Sequence, residues 1–123
     1  MKVLLSLASN RFQKSNLAKA RVCLSKVISQ VSYTSELWTE PMSSKRHELY
    51  LNQLAVGQTD LPLDEPNQRL KAIETNLGRT AQKRQLGIVP IDIDILQYED
   101  QRLHERDWQR PYVTRLLDEL PHD

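Results

Sequence analysis

The stretch GIVPIDIDILQYED, residues 87–100, places Asp92 and Asp94 inside an otherwise apolar, isoleucine-rich run. Isoleucine is enriched in strands, so the run predicts a β-strand over residues 88–98. Residues two apart on a strand share a face and lie about 6.6 Å apart. The isoleucines that alternate with the aspartates are therefore predicted to face the core, while both carboxylates face outward together. This strand predicts a sheet with one apolar face and one face that carries charge.

The rest of the chain supplies partners for this strand. Apolar residues that recur every three or four positions predict amphipathic helices, and alternating or short apolar runs predict further strands. The other predicted elements are, in chain order, a strand at 3–7, a helix at 17–28, a strand at 30–38, a polar loop at 40–47, a strand at 50–59, a helix at 64–77, a basic loop at 80–85 and a last helix at 107–120.

This order, β-α-β-β-α-β followed by a helical tail, predicts an α+β fold of the ferredoxin-like type. In that arrangement an antiparallel sheet carries both helices on one face, and a short C-terminal helix follows. The opposite face of the sheet is expected to be free for a ligand. Residues 1–123 are predicted to form a single domain, because the length suits one ordinary domain and the sequence shows neither a linker nor a repeat.

Composition narrows the class of protein. Hydrophobic residues make up 39% and charged residues 27% of the chain, which is the balance of a soluble globular protein. The net charge is only +1, so the chain lacks the large positive charge that is typical of nucleic-acid-binding proteins. No apolar run reaches membrane-spanning length. The single cysteine, Cys23, cannot form an internal disulfide, which favours a reducing compartment. We expect a cytoplasmic protein that binds small molecules, with a protein partner or an oligomer left open.

Two carboxylates on one strand face repel each other and need water, a basic partner or a cation. Hard cations such as Mg²⁺ bind carboxylate oxygens and share their remaining positions with waters and phosphates. Asp92 and Asp94 could therefore hold one ion, or two ions that bridge a triphosphate, or simply form an exposed acidic strand face. The preceding Arg79, Lys83 and Arg84 suit a phosphate ligand, although cations also suit a solvated helix C-terminus.

Four motifs occur in a fixed order along the chain: SLASN at 6–10, YLNQLAV at 50–56, IETNLGR at 73–79 and PIDIDILQY at 90–98. Together they resemble the 6-hydroxymethyl-7,8-dihydropterin pyrophosphokinase family, and the resemblance runs over nearly the whole chain. It implies a ferredoxin-like α/β fold. It also implies transfer of pyrophosphate from ATP to the hydroxymethyl group of a pterin in folate biosynthesis, with ATP as co-substrate and two Mg²⁺ ions.

The resemblance further implies roles for individual residues. Asp92 and Asp94 would bind the Mg²⁺ ions and would act with Arg79 in catalysis. The pterin site would be formed by Thr39, Pro41, Tyr50, Asn52 and Tyr112. The nucleotide site would be formed by Glu74, Arg79, Lys83, Arg84 and Arg110.

The same motifs depart from the family at defined positions. Leu86 and Val89 stand where the family has a tryptophan and a phosphate-contacting arginine. His104 precedes Arg110 but is assigned no role. Two functions therefore stay open: pyrophosphate transfer, or a catalytically impaired ferredoxin-like relative that acts as a small-ligand-binding or protein-interaction domain.

Overall fold

A computed structural model describes residues 1–41 and 48–120, so the predicted loop at 40–47 lies largely outside the described residues. The elements are, in chain order, β1 (Lys2–Ser9), α1 (Gln13–Leu24), β2 (Ser29–Tyr33), β3 (Leu37–Thr39), β4 (Tyr50–Gln58), α2 (Asp64–Asn76), α3 (Ala81–Gln85), β5 (Asp92–Tyr98), β6 (Gln101–Arg102), a 3-10 turn (Asp107–Gln109) and α4 (Pro111–Leu117). Within these described parts, no helix is long and apolar enough to cross a membrane.

The strands form one sheet in the order β2-β4-β1-β5-β6, with β3 also paired to β4. Every pairing is antiparallel. The central strands β1 and β4 pair along their lengths, from Lys2 opposite Gln58 to Ser9 opposite Leu51. This strand order, with a helix after β1 and another after β4, confirms the predicted ferredoxin-like α+β fold.

Helices α1 and α2 cover one face of the sheet. Successive side chains on a strand point to opposite faces, so Val3, Leu5 and Leu7 of β1 all point toward these helices and are fully buried. The same core contains the apolar residues of both helices and the isoleucines around β5: Leu17, Ala20, Leu24, Leu70, Ile73, Ile91, Ile93 and Ile95. The predicted inward orientation of the isoleucines is confirmed.

The opposite face of the sheet is only partly open, and the prediction of a free face is wrong to that extent. Leu4, Leu54 and Leu96 on this face form a second buried cluster with Val113 and Leu116 of α4. A period-two pattern reveals which side chains leave the helix-covered face, but it does not reveal where a C-terminal helix packs. The uncovered remainder of this face is the part that can accept a ligand.

The predicted strand at 30–38 consists of two short strands, β2 and β3. Between them the N–H of Thr34 donates to the carbonyl of Leu54 at 3.0 Å, and the Thr34 Oγ1 accepts from the N–H of Leu54 at 3.0 Å. The hydroxyl replaces the backbone carbonyl as acceptor, so regular pairing stops here. Ser35 then bonds to the carboxylate of Glu119, through its N–H at 2.7 Å and its hydroxyl at 2.8 Å.

Two other predicted boundaries also change. The expected loop at 80–85 is the short helix α3, because the Thr80 Oγ1 accepts from the N–H of Lys83 at 3.1 Å and caps the first turn. The expected helix at 107–120 is a 3-10 turn followed by α4. The second helix starts at Pro111, since proline suits the first helical position, where its missing N–H has no helical partner.

The predicted strand at 88–98 begins only at Asp92. The preceding segment is instead held by Asn10, whose Oδ1 accepts from the N–H of Val89 at 2.7 Å and whose N–H donates to the Val89 carbonyl at 2.9 Å. The Asn10 side chain also donates to the carbonyl of Gly87 at 2.8 Å. These bonds fix residues 87–89 as one wall of the open part of the sheet.

Candidate functional site

A cavity of about 490 Å³ lies on the open part of the second sheet face. Strands β1, β4 and β5 form its floor, and the end of β3, the segment 87–89 and the start of α4 form its walls. The residues that line it are Ser6, Ala8, Asn10, Thr39, Glu40, Pro41, Tyr50, Asn52, Gly87, Val89, Asp92, Asp94, Asp107, Arg110, Pro111 and Tyr112. The fold thus gathers residues as far apart in the sequence as Ser6 and Tyr112.

The register of the sheet sets the layout of the cavity floor. Ala8 of β1 pairs with Asn52 on one side and with Asp92 on the other, so these three residues form one row across the sheet. Ser6 pairs with Asp94 in the next row on the same face. Small side chains on β1 therefore separate an amide on β4 from two carboxylates on β5.

The amide end of the cavity is built around Asn52, which is 2% exposed. Its Nδ2 donates to the Oγ1 of Thr39 at 2.7 Å and to the carbonyl of Leu37 at 3.1 Å, which fixes the orientation of the amide. Burial raises the pKa of Tyr50, and the negative charge of Asp92 raises it further. This end therefore presents a fixed amide beside a neutral phenol.

Tyr112 adds a second phenol from the first turn of α4. Burial raises the pKa of Tyr112, and a hydrogen bond with Ser6 acts in the opposite direction without cancelling the rise. Pro41 and Pro111 also line the cavity at this level. Flat rings and a fixed amide suit a planar heterocycle that carries hydrogen-bonding edges.

Asp92 and Asp94 line the carboxylate end, and Glu74 lies behind them; one carboxylate oxygen of each of the three lies within 4.8 Å of the others. Arg79 bridges two of them, with its Nη1 at 2.8 Å from the Oδ1 of Asp92 and at 3.1 Å from the Oε1 of Glu74. Lys71 bridges the other pair, with its Nζ at 3.0 Å from the Oε2 of Glu74 and at 3.0 Å from the Oδ1 of Asp94. Three carboxylates thus face two cations, which leaves one net negative charge.

The same side chains also bind the outer edge of β5. The Oε2 of Glu74 accepts from the N–H of Ile93 at 2.7 Å, and the Nζ of Lys71 donates to the Ile93 carbonyl at 2.8 Å. Arg79 donates to the carbonyl of Ile91 at 3.3 Å. Backbone groups on an edge strand need partners, and side chains of α2 and of Arg79 after it supply them here instead of another strand. Glu74 is consequently buried and does not line the cavity.

The two aspartates have opposite electrostatic environments. Burial would raise the pKa of Asp92, but the hydrogen bond and charge of Arg79 outweigh burial and hold that pKa below its ordinary value. Burial and the adjacent charge of Asp92 raise the pKa of Asp94, and Lys71 does not fully offset them. An oxygen-rich pair that faces a cavity and bears excess negative charge fits a hard divalent cation.

The predicted basic residues divide into two groups. Arg110 lines the cavity, and its Nε lies 3.1 Å from the Oδ1 of Asp107. Arg79 contacts Asp92 from outside the lining. Lys83 donates from its Nζ to the carbonyl of Gly78 at 2.9 Å, and Arg84 is exposed on α3, so neither is brought to the cavity.

Several contributors to the site were given no role from the sequence, and Lys71, His104 and Asn10 are the ones whose contacts matter most. Lys71 belongs to no motif, since it is one of several charged residues on α2. His104 has its Nε2 3.9 Å from the Oδ1 of Asp94, and its backbone is left-handed, with a φ of 54°. Asn10 fixes the segment 87–89, as described above. Only Asn10 carried a usable signal, because it lies within the SLASN motif.

Comparisons with known proteins agree with the motifs. Residues 4–122 match the family model of 7,8-dihydro-6-hydroxymethylpterin-pyrophosphokinase. A folate synthesis bifunctional protein of Arabidopsis thaliana is 32% identical over 128 aligned residues, covering 96% of this chain and 26% of that protein. A protein of the same name from Chlamydia trachomatis is 31% identical over 81 residues, covering 58% of this chain and 18% of that protein.

The chain therefore spans about a quarter or less of the length of these two relatives. Among solved structures, the GlnK–ATP complex of B. subtilis covers 78% of this chain and 83% of its own, with a TM-score of 0.42 and 10% identity. That likeness is too weak to bear on fold or function. The match over residues 4–122 decides the family: the chain belongs to the 7,8-dihydro-6-hydroxymethylpterin-pyrophosphokinase family.

Proposed function

We propose that the chain transfers pyrophosphate from ATP to the hydroxymethyl group of 6-hydroxymethyl-7,8-dihydropterin, a reaction of folate synthesis. One observation carries the proposal: a single cavity brings a fixed amide and two phenols together with a pair of carboxylates. The first group suits a pterin ring and the second suits a metal-bound polyphosphate. Family membership and the names of the two relatives support the same assignment.

In the proposed reaction, the hydroxymethyl oxygen forms a bond to the β-phosphorus of ATP. The bond between that phosphorus and the oxygen that bridges to the α-phosphate breaks, and AMP leaves with the bridging oxygen. The hydroxyl proton is released. Such a transfer depends mainly on positioning and on electrostatic stabilisation of the phosphates, so residues that fix the two substrates matter more than covalent chemistry by the protein.

For the pterin we assign Asn52 and Tyr112 as the principal contacts, with Thr39, Pro41 and Tyr50 completing the pocket. The Oδ1 of Asn52 would accept a hydrogen bond from the ring, because its Nδ2 already donates to Thr39 and to the carbonyl of Leu37. Tyr112 would lie against the flat face of the ring. The neutral phenols avoid placing negative charge beside the ring.

We assign Asp92 and Asp94 as the metal ligands, and we propose that they bind two Mg²⁺ ions. Bound Mg²⁺ supplies neutralisation of the phosphate oxygens. Arg79 keeps Asp92 ionised and oriented through its 2.8 Å contact, and Arg110 would face the phosphates from the other wall.

The remaining residues of the predicted nucleotide site receive less support. Glu74 would act by holding Lys71 and Arg79 in place, since its carboxylate is buried. Lys83 and Arg84 would reach a nucleotide only where it extends beyond the cavity.

A second function, ligand binding without transfer, is favoured by one specific observation. Of the basic residues predicted to bind nucleotide, Arg110 alone lines the cavity, and Asp107 already pairs with it at 3.1 Å. Val89 lines the wall at the position where the family has an arginine. A site with few free cations binds a pterin more readily than a triphosphate.

The test is turnover by the purified chain with ATP, Mg²⁺ and 6-hydroxymethyl-7,8-dihydropterin, followed by chromatography of AMP and of the pterin diphosphate. We expect equal amounts of the two products, and neither product when EDTA replaces Mg²⁺ or when the pterin is omitted. AMP without pterin diphosphate would contradict transfer. Binding of the pterin with no product would select the second function.

A further inference from the structure

Lys71 occupies an unusual place for a helix residue on the covered side of a sheet. It lies on α2, yet its Nζ reaches Asp94, whose side chain points to the other face. The reach is possible because β6 pairs with β5 only at Gln97 and Tyr98, which leaves the edge of β5 open at Ile93. The ammonium group therefore passes around an open edge to the cavity.

The two cations of the carboxylate end differ in their access to solvent. The side chain of Arg79 is 19% exposed and makes bonds to Asp92, Glu74 and the backbone. The side chain of Lys71 is 43% exposed, and its ammonium lies 3.0 Å from Asp94. The same ammonium lies 3.0 Å from Glu74 and donates to a backbone carbonyl of β5 at 2.8 Å, so both cations are held at several points. The ammonium is nevertheless carried on a more exposed and flexible four-carbon stem, so it repositions more easily than a planar guanidinium. Lys71 is thus the cation that can respond to a ligand.

A fixed positive charge has opposite effects on the two components of a metal–polyphosphate ligand. Beside a carboxylate it competes with a divalent cation and lowers the affinity for the cation alone. The same charge attracts a polyphosphate that brings the cation with it. The segment 87–89 supplies no cation to this site, because Gly87, Ile88 and Val89 are uncharged.

We propose that Lys71 is a specificity-determining residue that makes the site select a metal–nucleotide complex over the free divalent cation. The inference rests on the proposed function, since it assumes that Asp94 meets a metal-bound polyphosphate. Without ligand, Lys71 is the counter-ion of Asp94. With the complex bound, the ammonium faces the polyphosphate. The site then gains a phosphate contact from Lys71 on α2, whereas the segment 87–89 supplies none.

Calorimetry tests this with two ligands: Mg²⁺ alone, and α,β-methylene-ATP at saturating Mg²⁺. In Lys71→Gln, which removes the charge and keeps a hydrogen-bond donor, we expect Mg²⁺ alone to bind roughly tenfold tighter and the nucleotide analogue roughly tenfold weaker. Lys71→Arg keeps the charge but places it on a less mobile guanidinium, so both affinities should change less than they do in Lys71→Gln.

Lys14→Gln is the matched control, because it removes the same charge from an ion pair with Glu36, 3.4 Å away on a surface that does not line the cavity. Neither affinity should change. If the two affinities of Lys71→Gln move in the same direction or stay unchanged, or if Lys14→Gln reproduces the opposed shifts, the inference is wrong.

A measurement on the unaltered protein tests the inference without comparing affinities between variants, which could differ in folding. The Nζ resonance of Lys71, assigned by its loss in Lys71→Arg, should shift when Mg²⁺ is added and shift again when the nucleotide analogue follows. A resonance that stays constant through both additions would overturn the inference, as would the absence of any Mg²⁺ binding.

The inference and the proposed function fail separately. Opposed shifts in Lys71→Gln without pterin diphosphate formation by the unaltered protein would retain the role of Lys71 and reject pyrophosphate transfer. Turnover by the unaltered protein with parallel shifts in Lys71→Gln would retain transfer and reject the role of Lys71.

Discussion

The two faces of the sheet differ in what their side chains form, and the single strand β1 shows this difference. Leu5 and Leu7 point to the face covered by α1 and α2 and are fully buried. Ser6 and Ala8, which alternate with them, line the cavity on the other face. The first face is mainly an apolar core, whereas the second is divided between a smaller core under α4 and the candidate site. The main core and the cavity are therefore separated by the direction in which alternate side chains point.

The separation is incomplete at the edge of β5. There, Lys71 and Arg79 extend from the helix-covered side to carboxylates on the cavity side. The two faces are thus joined at the edge strand β5, where side chains from the helix-covered side reach around the sheet and contact the aspartates of the other face. The comparison teaches that side chains which contact the carboxylates of the cavity need not lie on the elements that form its floor.

The largest expected effect is on turnover. Asp92→Asn and Asp94→Asn should each lower the rate of pyrophosphate transfer by roughly 10²–10³-fold, because each removes a charge that would hold the metal at the phosphates. Initial rates of AMP formation measure the loss. Asp100→Asn, at an exposed turn, is the control and should leave the rate unchanged. Normal rates in both site variants would show that this face does not carry the reaction.

One leucine-to-alanine substitution in each core cluster compares how much the packing on the two faces contributes to the free energy of unfolding. Leu5→Ala should lower the free energy of unfolding by about 3–5 kcal/mol, because Leu5 is fully buried under α1 and α2 and these helices cannot close around the void. Leu116→Ala should cost less, about 2–3 kcal/mol, since a short C-terminal helix can shift to fill the space. Urea denaturation measures both values. Equal losses would mean that α4 is as firmly packed as the main core.

The two aspartates should affect stability in opposite directions. The pKa of Asp92 is lowered, so its charged form stabilises the fold above its unfolded pKa, and this stability is lost as pH falls through the folded pKa. The pKa of Asp94 is raised, so its charged form is unfavourable at neutral pH. At neutral pH, Asp92→Asn should lower the melting temperature by a few degrees and Asp94→Asn should raise it slightly.

Thermal melts between neutral and acid pH measure this contrast. The deficit of Asp92→Asn should shrink at acid pH, where the wild-type carboxyl is itself protonated. Shifts of the same sign in the two variants at neutral pH would show that Lys71 and Arg79 neutralise their partners equally.

The smallest expected effect concerns the attachment of α4. The N–H and hydroxyl of Ser35 lower the pKa of Glu119 from its ordinary value of 4.5. The charged Glu119 therefore stabilises the fold above pH 4.5, and this stabilisation is lost as pH falls through the lower pKa of the folded state. Glu119→Gln should therefore lower the melting temperature slightly at neutral pH and by less at acid pH. A pH-independent difference would indicate that the charge of Glu119 does not hold α4 to Ser35.

Sequence patterns predicted the fold more completely than the site. The order of elements and the alternation of Ile93 with Asp92 and Asp94 follow from local periodicity, and the structure agrees with both. The split of the strand at 30–38 was missed because a side-chain hydroxyl, that of Thr34, took over a backbone pairing. Local propensity does not report such a substitution.

The sequence by itself determined which side chains leave the apolar core and which family the motifs resemble, because strand alternation and motif order are properties of neighbouring residues. Only the tertiary structure decided that α4 covers part of the second face. It also decided that Glu74 is buried against the N–H of Ile93 and that Lys71 meets Asp94. Those contacts depend on where β5 lacks a neighbour. Strand order and register set that position, so the two aspartates of GIVPIDIDILQYED acquire their counter-ions only in the folded sheet.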